Sequence, residues 1–292
     1  MTSNAKDDKI PDFKSGLVWL ASYPKSGNTW TRTFLSNLAV VMAGEKDGVD
    51  INSIQRFSMG ENFADLYKER LGFAPTREHH KEIAGLRHEV QQWIADQNEG
   101  IVFIKTHNGL VIDHGRTIIN FAVTSGAIYI VRNPLDVAIS LSHHMTATID
   151  DAIETMGRLD LETPTNEKRV YEIWGSWSQH VASWTRKPHP AIYIMRYEDM
   201  LNAAQETFGG LASHLSLNPT PAQLALAIER SSFAKLKDDE ERTGFVEKPG
   251  KAARFFREGR AEQWKDILTP KQIDRIVGDH GEQMKRFGYF PP

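Results

Sequence analysis

The chain has no cysteine in 292 residues. Disulfides, thiolate catalysis and zinc–thiolate sites are therefore excluded, and the composition fits a reducing compartment. Net charge is also scarce: 35 basic residues stand against 38 acidic ones, a formal balance of −3. This argues against bulk nucleic-acid binding, so any anion site has to be local. Long apolar runs are missing, and no stretch reaches the roughly 20 residues of a membrane span. The polar opening MTSNAKDDKIPDFKSG has no apolar core of a secretion signal. The expectation is a soluble, cytoplasmic protein with neither a membrane nor a nucleic-acid partner.

What is present is a globular composition, 40% hydrophobic, able to bury a sizeable core. Four short runs read as buried strands: Leu17 to Ala21, Ile101 to Ile104, Ala127 to Val131 and Ala191 to Met195. A weaker candidate covers Thr117 to Val123. Helical patterns separate the strands. Trp30, Phe34, Leu35 and Leu38 share one face of a first helix, and Asn133–Pro134 opens a second. Thr269-Pro270-Lys271-Gln272 opens the last, with an apolar side of Ile273, Ile276, Val277, Met284 and Phe287. The fold class is α/β: a single domain over residues 1–292 with a central parallel sheet flanked by helices. Residues 1–14 are expected to be flexible. The charged, Gly- and Pro-containing stretch 237–259 is expected to be a mobile lid loop, with Asp238 to Arg242 as a solvated part of it.

Each apolar run ends in a polar cluster. The first gives Tyr23-Pro24-Lys25-Ser26-Gly27-Asn28-Thr29-Trp30 and the second Lys105-Thr106-His107-Asn108-Gly109. The third gives Arg132-Asn133-Pro134-Leu135-Asp136, with Ser140 farther on, and the fourth Arg196-Tyr197-Glu198-Asp199. Ligands of open parallel sheets sit at the carboxyl ends of the strands, so these basic ends point to one anionic ligand. The Ser26–Thr29 loop lies between a strand and a helix, where backbone N–H groups hold anions. The same residues are also common turn chemistry. A Walker loop needs lysine after its second glycine, whereas Lys25 precedes Gly27.

Tyr23 to Trp30 closely resembles the 5'-phosphosulfate loop of cytosolic-type sulfotransferases, with Asn28 where threonine is often found. Tyr129 to Ser140 is similar to the family's 3'-phosphate segment, its Arg132 and Ser140 eight positions apart. Phe255-Phe256-Arg257-Glu258-Gly259 resembles the C-terminal R-x-G segment, with Glu258 where lysine is frequent, and Ser231-Ser232-Phe233 resembles the segment that packs on adenine. The resemblance implies a P-loop-like strand–loop–helix phosphosulfate site and transfer of sulfonate from 3'-phosphoadenosine 5'-phosphosulfate to a small-molecule hydroxyl, without a metal. It implies His107 as general base, Lys25 at the leaving oxygen and Lys105 on the transferring group. Ser26, Gly27, Asn28, Thr29 and Trp30 would hold the donor, together with Arg132, Ser140, Tyr197, Ser231, Phe233, Arg257, Glu258 and Gly259.

Trp30 reads equally well as core packing of the first helix, Tyr197-Glu198-Asp199 as a strand-end turn with a helix cap, and His143 and His144 as either acceptor contacts or a solvated helix face. Acceptor walls are expected from residues 56–73, 143–165 and the stretch after Lys237. Phe57, Phe63, Tyr67 and Phe73 there point to an apolar or aromatic acceptor. Lys265 to Asp274 is similar to the family's dimerisation stretch but has Pro270 in place of valine, which leaves a homodimer open. A nucleotide-binding protein without transferase activity and a P-loop kinase are the alternatives.

Overall fold

The structure, a computed structural model, describes residues 15–248, 250 and 254–291. The segment 1–14, expected to be flexible, lies outside the described residues, as do residues 249 and 251–253 of the expected lid. Strands β1 (Gly16–Ser22), β2 (Ser58–Gly60), β3 (Ile101–Thr106), β6 (Thr124–Val131) and β7 (Ile192–Arg196) form a five-stranded parallel sheet in the order β2-β3-β1-β6-β7. Strands β4 (Ile112–Asp113) and β5 (Arg116–Thr117) make a separate antiparallel pair.

The strands read as continuous apolar runs because both faces of the sheet are covered. Alternate residues serve two cores. Trp19, Ala21, Tyr129 and Val131 enter one; Val18, Leu20, Ile128 and Ile130 enter the other. Helix Asn28–Met42 lays Trp30, Phe34, Leu35 and Leu38 on the second core, beside Phe208 of helix Ala204–His214. Helices His80–Asp96, Pro134–Met145, Trp177–Thr185 and Pro270–Arg286 cover the first. The expected starts are present: Asn133 Oδ1 accepts from the Leu135 N–H at 3.0 Å, and Thr269 and Gln272 form a reciprocal capping box.

Two expectations are corrected. The weaker strand candidate at 117–123 contributes only Thr117 to a strand; Ile118 and Ile119 are tucked into the core from a turn. The expected loop at 237–259 begins with a helix, Phe233–Thr243. Ser232 caps it by accepting from the Lys235 N–H. Its charges are not simply solvated. Asp239 is buried between Lys235 at 3.3 Å and Arg242 at 2.6 Å, while Glu240 is buried against a later backbone segment.

Candidate active site at the carboxyl edge of the sheet

Register brings the strand ends side by side. Ala21 pairs with Thr106 on one flank and Tyr129 on the other, Gly60 pairs with Lys105, and Val131 pairs with Arg196. The chain leaves every strand at this edge into one cavity of about 690 Å³. Its position is the one expected of a ligand site in an open parallel sheet.

After β1 the chain turns tightly into helix Asn28–Met42. Lys25 (φ 67°) and Gly27 (φ 108°) are both left-handed there. A Cβ at Gly27 would stand 2.8 Å from the Tyr197 ring, so glycine is required by space as well as by conformation. Asn28 ties the helix to the strand, its Nδ2 donating to the Leu20 carbonyl at 2.8 Å. Arg132 holds the loop from the next strand. It donates to the Lys25 carbonyl at 3.0 Å and lies 4.2 Å above the Tyr197 ring.

Lys25, Lys105, Arg132 and Arg257 all line this cavity, with Glu172 and Glu247 toward Lys105 and Glu258 beside Arg257. Burial, then Arg132, Lys105 and Arg257, brings the Lys25 ammonium down to about 7 against the opposing pull of Glu240. Lys105 is lowered too, first by burial. Arg132 Nε and Arg257 Nη1 are buried with no hydrogen-bond partner. Orphaned guanidinium donors beside two buried amines are costly unless an anion completes them.

His107 sits at the end of β3. Its Nδ1 lies 2.8 Å from the Ser22 carbonyl, which can only accept, so Nδ1 carries the proton and Nε2 the free lone pair. The Glu172 carboxylate accepts from the His107 backbone N–H at 3.0 Å. Burial, then Lys105, holds this imidazole well below the usual histidine range. The ring is therefore neutral at physiological pH.

The cavity is lined by Lys25, Gly27, Asn28, Thr29, Trp30, Lys105, His107, Arg132, Ser140, Tyr197, Phe233, Arg257, Glu258 and Gly259. Gly259 (φ 63°) lies against the Phe233 ring so closely that any Cβ would overlap it, which couples the R-x-G segment to the adenine-type segment. Two predicted residues stand apart. Ser26 is buried beneath the loop, and the Ser231 hydroxyl turns back onto the Ala227 and Ile228 carbonyls of its own helix. His143 and His144 both line the cavity, and burial, then Lys25 and Lys105, lowers His144 to about 4.

The expected aromatic acceptor wall is not there. Tyr67 is buried and donates to Glu61, Phe57 stacks on Phe103, Phe63 lies under Arg169 and Phe73 packs on His79. Gln55, Asn62, Arg169, Glu172, Trp174 and Glu247 line the cavity instead. Asn62 and Glu247 fall in the segments 56–73 and after Lys237 expected to wall the acceptor, as do His143, His144, Thr163 and Pro164 of 143–165; Gln55, Arg169, Glu172 and Trp174 were not singled out, because none belongs to a phosphate-type motif. Only the strand-end clusters on either side of them pointed to this edge. Among the described residues no group of three His, Asp or Glu side chains is placed to hold a metal ion. No helix among them is long and apolar enough to cross a membrane.

A family model described as the sulfotransferase domain matches residues 16–288. The chain belongs to the sulfotransferase family. Among similar proteins, dog sulfotransferase 1A1 is 24% identical over 96% of this chain and 88% of its own length. Mouse sulfotransferase 2A6 is 27% identical, over 59% of this chain and 60% of its own. Among solved structures, mouse sulfotransferase SULT7A1 complexed with PAP has a TM-score of 0.61 at 20% identity, covering 94% of this chain and 88% of that one. Retinol dehydratase in complex with androsterone and PAP has a TM-score of 0.63 at 19% identity, covering 94% and 83%. These likenesses show the same fold for this sulfotransferase.

Proposed function

We propose that this sulfotransferase moves a sulfonate group from 3'-phosphoadenosine 5'-phosphosulfate to a hydroxyl of a small-molecule acceptor, releasing 3'-phosphoadenosine 5'-phosphate. The observation that carries this reading is the convergence of Lys25, Lys105, Arg132 and Arg257 on one cavity, with guanidinium donors buried and unpaired. Two guanidiniums with buried, unpaired donors suit a phosphate, which they can contact in bidentate fashion. Arg132 with Ser140, and Arg257 with the Gly259 backbone, are assigned to the 3'-phosphate. The Ser26–Thr29 amides and the helix N-terminus are assigned to the 5'-phosphate. Trp30, Tyr197 and Phe233 are assigned to the adenine.

His107 Nε2 takes the proton as the acceptor oxygen forms its bond to sulfur. The bond from sulfur to the 5'-phosphate oxygen breaks, and Lys25 stabilises the charge left on that oxygen. Lys105 neutralises the non-bridging oxygens of the group in transfer. Because these side chains supply the positive charge, the assigned chemistry runs without a metal ion.

Calorimetric titration with 3'-phosphoadenosine 5'-phosphate, beside adenosine 5'-phosphate and ATP with magnesium, tests the donor site. Tight binding of the bisphosphate alone is expected, and His107→Ala should keep that affinity while turnover drops about a hundredfold or more. A preference for ATP with magnesium, or near-normal turnover of the variant, would refute the assignment.

A further inference from the structure

The strand order divides the cavity. Lys25, Arg132 and Tyr197 follow β1, β6 and β7, whereas Lys105 lies near the end of β3, His107 follows it and Asn62 follows β2 at the far edge. With the nucleotide on the first side, the acceptor stands on the β3–β2 side. The electrostatic surroundings differ while overlapping at Lys105: Lys25 feels Arg132, Lys105, Arg257 and Glu240, and Lys105 feels Glu247, Arg32, Glu172 and Arg169.

That acceptor side is mainly polar, with Pro164, Val246 and Trp174 as its apolar members, and its polar groups are already held in place. Arg169 donates to Asn62 Oδ1 at 2.9 Å and lies 3.9 Å above the Phe63 ring. Asn166 Oδ1 accepts from the Lys168 and Arg169 N–H groups at 2.9 and 3.0 Å, which fixes that amide. Glu172 is fixed by the His107 N–H, and the Glu247 carboxylate by Arg32 at 2.9 Å and Gln55 at 3.4 Å. Charges of both signs balance, two carboxylates facing Lys105 and Arg169, so the wall is polar without favouring an ion. Trp174 offers one apolar ring beside His107, at 6.3 Å between centroids.

We propose that the acceptor is a polyhydroxylated compound, a sugar or glycoside, rather than a phenol or a steroid alcohol. The proposal rests on the sulfotransferase reading above. A flat apolar acceptor would strip water from Arg169, Glu172, Asn166 and Gln55 and return no hydrogen bonds, which is unfavourable. A ring bearing several hydroxyls both donates and accepts, so it satisfies carboxylates and guanidinium together. Its C–H face can rest on Trp174 while one hydroxyl meets His107.

The test is sulfonate transfer from labelled donor to a panel of methyl glycosides and disaccharides, beside 4-nitrophenol and a steroid alcohol. At least one sugar should be used with kcat/KM tenfold or more above either apolar acceptor. Arg169→Met should raise KM for that sugar about tenfold while leaving affinity for 3'-phosphoadenosine 5'-phosphate within twofold. Transfer to no sugar, equal or better use of the phenol or steroid, or an unchanged sugar KM in the variant would overturn the proposal. Loss of bisphosphate binding by the unaltered protein would be a different failure, and would remove the sulfotransferase reading with it.

Discussion

Lys25 is held near 7 by burial and by the surrounding Arg132, Lys105 and Arg257 charges, so about half of the ligand-free molecules carry it neutral at that pH. An arriving polyanion favours the charged form and raises this pKa. Binding of 3'-phosphoadenosine 5'-phosphate should therefore take up a proton above pH 7, and affinity should fall as pH rises from 7 to 9. The limit is about tenfold per unit for one proton. Titrations at pH 8 in buffers of different ionisation enthalpy measure the uptake. Lys25→Met should abolish it, and equal heats in every buffer would contradict the assignment. The opposite logic applies to His107, whose lowered pKa keeps Nε2 unprotonated across the same range.

Among the elements, the helix Phe233–Thr243 does more than its charged sequence announces. Glu240 accepts from the Phe255 and Phe256 N–H groups at 2.7 and 2.8 Å, and Phe255 in turn lies 4.0 Å under the Lys25 ammonium. One carboxylate thus positions the segment that carries Arg257. Glu240→Ala is expected to weaken bisphosphate binding by about 1–3 kcal/mol, the cost of unmaking hydrogen bonds to a charged group, with the melting transition still cooperative. Calorimetry on the variant checks this, and wild-type affinity would show the segment to be held by other contacts. The four principal strands, the first helix and the capped helix starts were legible because apolar period and cap chemistry are local. The three-residue β2 was not, since Ser58-Met59-Gly60 has no strand pattern of its own and exists by pairing with β3. Glu247 was equally hidden, 215 residues from Arg32, which meets it only in the folded chain. The residues assigned to the anion were readable as strand-end motifs, apart from Arg257, which only the family resemblance pointed to. The segments that wall the other side were readable too, but not their character, because Phe57 and Tyr67 looked like pocket aromatics and instead pack inside.

For the molecule as a whole, buried neutral histidines set an acid limit to stability. His180 is lowered to about 3 and His280 to about 4, both chiefly by burial. An unfolded histidine titrates near 6.5, so below that pH the unfolded state binds more protons than the folded one. Stability is full above about 6.5 and falls as pH drops toward 4, by up to about 1.4 kcal/mol per unit for each such group. Glu61 and Asp136, raised by burial, act in the opposite sense. The difference between variants isolates the histidine part. Urea midpoints for wild type and His280→Gln should converge between pH 7.5 and 5, because only the wild type loses the His280 contribution; parallel slopes would exclude it.

The β2-β3-β1-β6-β7 order has a consequence for how such a protein diversifies. On the assignment proposed above, the nucleotide socket lies by the ends of β1, β6 and β7 and the acceptor by those of β3 and β2, with Lys105 and His107 between them. Positions 55, 62, 166 and 169 can therefore be exchanged while the socket stays intact. Inheritance can keep the chemistry fixed and retool the clientele, one half of a single cavity at a time.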